Sequence, residues 1–349
     1  MGKIKNFTKN ILYYTGYYHL VRSWRELIRP GKKLVILTYH DISDDAGCPE
    51  GSYDPFKFRP EISIQQFELH LRILKKFYNV VSLEEGVRWL QKGGKGMDKL
   101  AVITFDDGYE SFYTLAFPLL KKYNFPATMF LPTDFVNSRR MFWWDELHQI
   151  VFYAVRPPTC ASALVPFIGE RLSKMFSEVK KDLLRTRQFL ESLELYLSSI
   201  EDAQRQEKIE NLKKLVLADQ RIRSVSPRTL SWNQIAEVSR EGISIGSHTC
   251  SHSNLKFASL EKVEEELARS KEIIEKQIKT KVICFAYPYL ANFETHLRVK
   301  PILVDLKYEY ACAGWGGANL SDFDPFFLRR MTLPMTTATP LITRELLLS

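Results

Sequence analysis

The chain has 349 residues, 45% of them hydrophobic and 26% charged, which allows a sizeable packed core in one large domain or two modest ones and excludes a disordered chain. Its net charge of +8 and pI near 9.1 favour an acidic partner such as anionic lipid or a phosphate-bearing substrate. No DNA- or RNA-binding motif is present, so nucleic acid is not expected as a partner.

The segment 3–29 is rich in Tyr, Trp, Lys and Arg and reads as an amphipathic helix. It can lie on an anionic membrane surface or pack against the domain. No apolar stretch of secretory length follows the basic N-terminal residues, and no run is long enough for a membrane span. Cys48, Cys160, Cys250, Cys284 and Cys312 are odd in number and never paired as CxxC. They predict reduced thiols and a cytoplasmic protein, peripheral at most to the inner face of the membrane.

After the turn signal Pro30-Gly31, residues 34–38 form the first predicted strand, ending at Tyr39-His40-Asp41. A polar loop over 43–60 follows. Ser63 with Gln66 opens a helix to about Phe77, and Ser82 with Glu85 opens another that stops at Gly93-Gly94. Residues 79–82 make a short strand between them, and 100–105 a strong one. A helix over 110–123, bent at Pro118, leads to a strand over 126–131. From 136 to about 228 the rhythm changes: 139–155 is aromatic-rich, and 178–217 is charged with leucines at helical spacing and no strand signal. The charged stretch reads as a solvated helical face. Ser231 with Gln234 restarts a helix, 243–247 is a strand, 260–278 an amphipathic helix, and 282–286 and 310–313 are strands.

The alternation predicts a parallel α/β fold, and the polar motifs all follow strands. A distorted, incomplete parallel β/α barrel with a helical insertion gathers them best, because barrel strand C-termini meet at one mouth. The chain then divides into an N-terminal amphipathic helical segment (1–33), a first part of the barrel (34–134), a helical insertion (135–230), and a second part with the C-terminal tail (231–349).

Two of those motifs carry chemistry. Asp106 and Asp107 end one strand, and His248 and His252 follow another. Asp107, His248 and His252 form a carboxylate-and-imidazole set suited to a divalent metal, zinc first among several. The two histidines, four apart, are expected to share a face on a helical turn. A metal there would polarise a carbonyl and activate water. Asp106 diverges from its neighbour and is left to act as general base. The backbone N–H of Tyr109, just past Gly108, is a candidate oxyanion donor. His40, also at a strand end, is the candidate acid. Cys250 sits between the histidines and is expected to face away from them as a packed thiol. Tyr287, Tyr289 and Trp315 read as core aromatics or as sugar-stacking groups, with Tyr289 and Trp315 assigned to substrate.

These residues resemble the polysaccharide deacetylase family, the fourth family of carbohydrate esterases. Thr104-Phe105-Asp106-Asp107-Gly108 is similar to its first motif and Ser247-His248-Thr249-Cys250-Ser251-His252 to its second. Phe285-Ala286-Tyr287-Pro288-Tyr289 resembles the third, and Gly314-Trp315 faintly the fourth. The resemblance covers about 34–134 and 231–335. It implies a distorted β/α barrel, a divalent metal, and hydrolysis of acetyl groups, commonly from N-acetylated sugars. Two departures stand out. The third motif lacks the arginine that orients the base in many members, and no histidine follows His296 to serve as acid near the C-terminus. The branch acting on exported biofilm polysaccharides has its acid in a Tyr-His after the first strand, and Leu37-Thr38-Tyr39-His40 is similar to that. Arg329 and Arg330 receive no catalytic task. The departures leave a rival reading, a carbohydrate-binding protein of this fold without catalysis. A membrane-surface scaffold working through the N-terminal segment is a second.

Overall fold

Period-2 alternation on the strands sorts the core into two layers. In the computed structural model, which describes residues 33–44, 62–95, 99–138, 140–154, 161–179, 183–217, 229–289, 291–320, 322–333 and 342, strand β1 (Lys33–Tyr39) sends Leu34 and Ile36 to one side and Val35, Leu37 and Tyr39 to the other. Strand β5 (Lys99–Asp106) does the same with Leu100 and Val102 against Ala101, Ile103 and Phe105. The first set joins Phe130, Cys284, Ala286, Cys312 and Leu328 in the barrel interior, and the second meets the surrounding helices.

The short strands β2 (Ile42–Ser43) and β3 (Ile62–Ser63) pair with each other apart from the main sheet. Helix α1 (Ile64–Phe77), strand β4 (Asn79–Val80) and helix α2 (Leu83–Gln91) precede β5. Both helices begin in full capping boxes, Ser63 with Gln66 and Ser82 with Glu85, in which each side chain satisfies the other residue's backbone N–H. The predicted helix over 110–123 is helical throughout, with a wide π turn at Phe112–Ala116 running into α3 (Phe117–Tyr123). Pro118 lies just past that π turn, where the ladder is already displaced.

Strand β6 (Thr128–Leu131) ends the first part of the barrel, and the insertion carries helices α4 (Trp143–Ala154), α5 (Ala161–Glu178, broken at Gly169), α6 (Leu183–Ser198) and α7 (Asp202–Leu217). Helix α8 (Trp232–Arg240), β7 (Ser244–Ser247), α9 (Leu260–Ile278), β8 (Cys284–Ala286), α10 (Phe293–Asp305), β9 (Tyr310–Trp315) and β10 (Leu328–Arg330) complete the order.

The main sheet has eight strands in the order β1-β5-β6-β7-β8-β9-β10, with β4 beside the start of β5, and every pairing is parallel. Just past β10 the ladder returns to β1: Thr38 N–H donates to the Met331 carbonyl at 3.0 Å and Met331 N–H to the Ile36 carbonyl at 2.9 Å. The result is a nearly closed parallel barrel wrapped in helices, as expected of the fold class. Strand β10 had no counterpart in the sequence reading.

The charged stretch 178–217 is not simply a solvated face. Phe189, Leu190, Leu193, Leu197, Ile209 and Leu212 are buried together with Ile150 and Val151 of α4 in a separate hydrophobic core. Among the described residues, no helix is long and apolar enough to cross a membrane. The amphipathic reading of 3–29 and most of the predicted loop over 43–60 fall outside the described residues.

Candidate metal centre

The two carboxylates are divided by backbone geometry. Asp106 is the last residue of β5 and keeps the parity of Thr104 and Val102, so it stands at the mouth of the interior face. Asp107 has φ +70° and Gly108 φ +65°. Aspartate tolerates the left-handed region better than most residues, and glycine does so without cost. A Cβ on Gly108 would also lie 2.7 Å from Leu131 Cδ2. This turn swings Asp107 away from its neighbour and toward the loop after β7.

That loop supplies both histidines without a helical turn. Thr249 (φ +66°) and His252 (φ +56°) break any helical path between 248 and 252, which corrects the expected origin of their shared face. The imidazoles still converge, with ring centroids 4.8 Å apart. His252 Nε2 is 3.4 Å and His248 Nε2 3.8 Å from Asp107 Oδ1. All three residues are buried, and among the described residues they form the group able to hold a metal, with one donor atom from each within 4.8 Å of the others. Two ligands about 2.0–2.2 Å from one tetrahedral ion lie roughly 3.4 Å apart, so the set fits a zinc-like ion. His248 Nδ1–H donates to the Ala286 carbonyl at 2.7 Å, which leaves the Nε2 lone pair facing Asp107. Burial pushes the His248 pKa down to about 4 and holds His252 well below its ordinary value, so both stay neutral, as a ligand must be.

Asp106 is gripped by Arg330. Nη1 donates to Oδ1 and Nη2 to Oδ2, both at 2.7 Å, in the bidentate fork that guanidinium and carboxylate geometry favour. Burial alone would raise the carboxyl pKa. The charge and hydrogen bonds of Arg330 hold it well below the usual carboxylate range. Asp106 is therefore ionised, and each oxygen keeps a second lone pair for an incoming proton. The arginine found missing from the third motif is thus supplied by β10, at the last position of the interior face. The sequence reading withheld any task from Arg330, and the structure corrects that. No local signal could have revealed a partner 224 residues away.

His40 follows β1, and its Nε2 is 3.9 Å from Asp106 Oδ2. Its side chain is 50% exposed against 3% for Asp106, so it sits at the open side of the carboxylate. The Tyr109 ring turns into the insertion: its hydroxyl donates to Asp145 Oδ2 at 3.2 Å and accepts from Trp144 Nε1 at 2.8 Å. Tyr289 (φ +60°) lies with its ring centroid 5.0 Å from that of His252, and its hydroxyl accepts from Trp143 Nε1 at 2.8 Å. Tyr287 is buried against Phe285 and His296, a core aromatic. Trp315 ends β9, and its side chain is outside the described set. Cys250 is buried, its thiol pushed up to about 11 by burial, in keeping with a packed sulfur.

Two further residues went unread in the sequence. Glu266 on α9 accepts from the backbone N–H of Cys250 (2.7 Å) and Ser251 (2.9 Å), pinning the loop between the two histidines. Arg205 on α7 is buried beside Trp143 and Tyr289. Its setting is tertiary, and an arginine within a charged helix carries no mark of it.

The model of the family described as polysaccharide deacetylase matches residues 93–154 and 204–311. Bacillus subtilis YxkH is 33% identical over 134 residues, which are 38% of this chain and 43% of that protein. The Escherichia coli K12 poly-beta-1,6-N-acetyl-D-glucosamine N-deacetylase is 32% identical over 129 residues, 36% of this chain and 18% of that protein. The chain thus spans less than half the length of these curated relatives. The structure of a Streptococcus pyogenes deacetylase, PplD, in complex with acetate superposes with a TM-score of 0.55 at 20% identity, covering 89% of this chain and 96% of that one, a likeness of fold. Over the matched residues the chain is similar to the polysaccharide deacetylase family.

Proposed function

We propose that the chain is a metal-dependent hydrolase that removes acetyl groups from an N-acetylated sugar or polysaccharide. The observation that carries this reading is the buried Asp107, His248 and His252 set beside an arginine-held Asp106. A divalent ion, zinc first, bound there would polarise the acetyl carbonyl and activate water. Asp106 takes the proton from the attacking water, with Arg330 fixing both of its oxygens. The backbone N–H of Tyr109 donates to the developing oxyanion. His40, on the exposed side of Asp106, donates the proton that the leaving amine needs. Tyr289, its ring beside His252, lines the saccharide site, and Trp315 is assigned to substrate on its sequence motif.

The family match and the names of the relatives support an acetylated glucosamine polymer as substrate. The non-catalytic rival rested on an absent motif arginine and an absent C-terminal histidine; Arg330 on Asp106 and His40 3.9 Å from it speak against that reading. Purified protein loaded with zinc should release acetate from oligomers of N-acetylglucosamine. Metal bound at one equivalent with no acetate from any acetylated sugar would sink the proposal.

A further inference from the structure

The insertion is wired into the metal loop through one helix end. Asp202 and Arg205, in the first turn of α7, form an ion pair. Asp202 Oδ2 accepts from Ser253 Oγ at 2.9 Å and from Asn254 N–H at 3.2 Å, directly after His252. Asn254 Nδ2 returns a hydrogen bond to the Ser198 carbonyl at 3.1 Å, at the end of α6. The Arg205 guanidinium lies 5.0 Å from the centroid of Trp143 and 5.4 Å from that of Tyr289, whose ring is 5.0 Å from His252.

A guanidinium this deeply buried should have its donors satisfied. Arg205 is 5% exposed, its Nη2 is committed to Asp202, and its Nη1 has no hydrogen-bond partner among the described residues. A purely bracing cation would be no worse with its remaining donors turned to a protein carbonyl. An unmet donor beside Tyr289, whose ring lies next to a candidate metal ligand, is the arrangement of a group suited to a ligand acceptor.

We propose that Arg205 is a substrate-binding residue, its Nη1 donating a hydrogen bond to an acceptor oxygen of the saccharide seated against Tyr289. The nature of that ligand rests on the deacetylase reading above. The insertion then completes the binding site itself, and Asp202 fixes the guanidinium fork relative to His252. Lysine keeps the charge opposite Asp202 but lacks the fork, so Arg205→Lys isolates the Nη1 contact from the ion pair.

The test uses the full chain loaded with zinc and a β-1,6-linked N-acetylglucosamine pentamer. Acetate release gives kcat and KM. Calorimetric binding of the pentamer in an Asp106→Asn background gives Kd without turnover. Arg205→Lys should raise KM and Kd about ten-fold or more, with zinc content unchanged and kcat within about three-fold. Arg205→Met should raise them at least as far. Unchanged KM and Kd in the lysine variant, or lost zinc and a lower melting point at unchanged KM, would overturn the proposal and leave Arg205 a brace. Absence of pentamer binding by the parent protein would overturn it too. Weakened binding in Arg205→Lys, with no acetate from the wild type, would remove the hydrolase reading and keep Arg205 as a saccharide contact.

Discussion

Adjacent carboxylates with different surroundings are expected to fail differently. Asp106→Asn keeps the Asp107, His248 and His252 donors, so bound zinc should persist while acetate release falls about a hundred- to ten-thousand-fold, the range for a lost general base. Wild-type turnover in that variant would refute the assignment. His248→Ala or His252→Ala should instead lose metal, as elemental analysis of the purified protein would show. Arg330 carries a stability consequence as well. Removing one partner of a buried ion pair leaves an uncompensated charge, so Arg330→Met should cost about 3–5 kcal/mol in denaturant unfolding at neutral pH. The native pKa of Asp106 is depressed. Its pairing therefore stabilises the fold above the unfolded carboxyl value of about 3.9, and that stability is lost as pH falls through the lower native value. The gap between variant and wild type should shrink below about pH 4, and a gap independent of pH would contradict the pairing.

Several elements were legible because their signals are local. The helices opened by Ser63, Ser82 and Ser231 begin where the Ser-x-x-Gln/Glu spacing placed them. Ser231→Ala should cost about 1 kcal/mol through loss of the α8 cap, measurable as a lower unfolding temperature. The insertion was visible as a break in the strand–helix rhythm, but its work was not. Its aromatic opening sets Trp144 4.8 Å and Phe142 5.9 Å from the His252 ring, centroid to centroid, and ties Trp143 to Tyr289. Deleting 140–225 from a barrel that still folds should change the range of acetylated sugars hydrolysed. An unchanged range would show that these aromatics only pack.

At the scale of the whole molecule, the barrel brings four distant stretches to one mouth: the ends of β1, β5 and β10 and the loop after β7. A ligand that binds only the folded arrangement stabilises it by mass action. Zinc should therefore raise the unfolding temperature of chelator-treated protein, and His252→Ala should abolish that rise. Closure matters for the same reason, since the contact of Met331 with β1 holds β10, and with it Arg330, one strand away from β5 and its Asp106.

The sequence by itself determined the class of fold, the pair of carboxylates and the pair of histidines, because strand alternation, helix caps and short motifs are encoded by neighbours along the chain. The tertiary structure decided that left-handed turns, and not a helix, aim Asp107 and His252. It also decided that Arg330 holds Asp106, that Glu266 pins the histidine loop, and that the insertion delivers Arg205 to the site. Those relations join residues far apart in the chain, and burial, backbone sign and hydrogen-bond reach are settled only when the barrel closes.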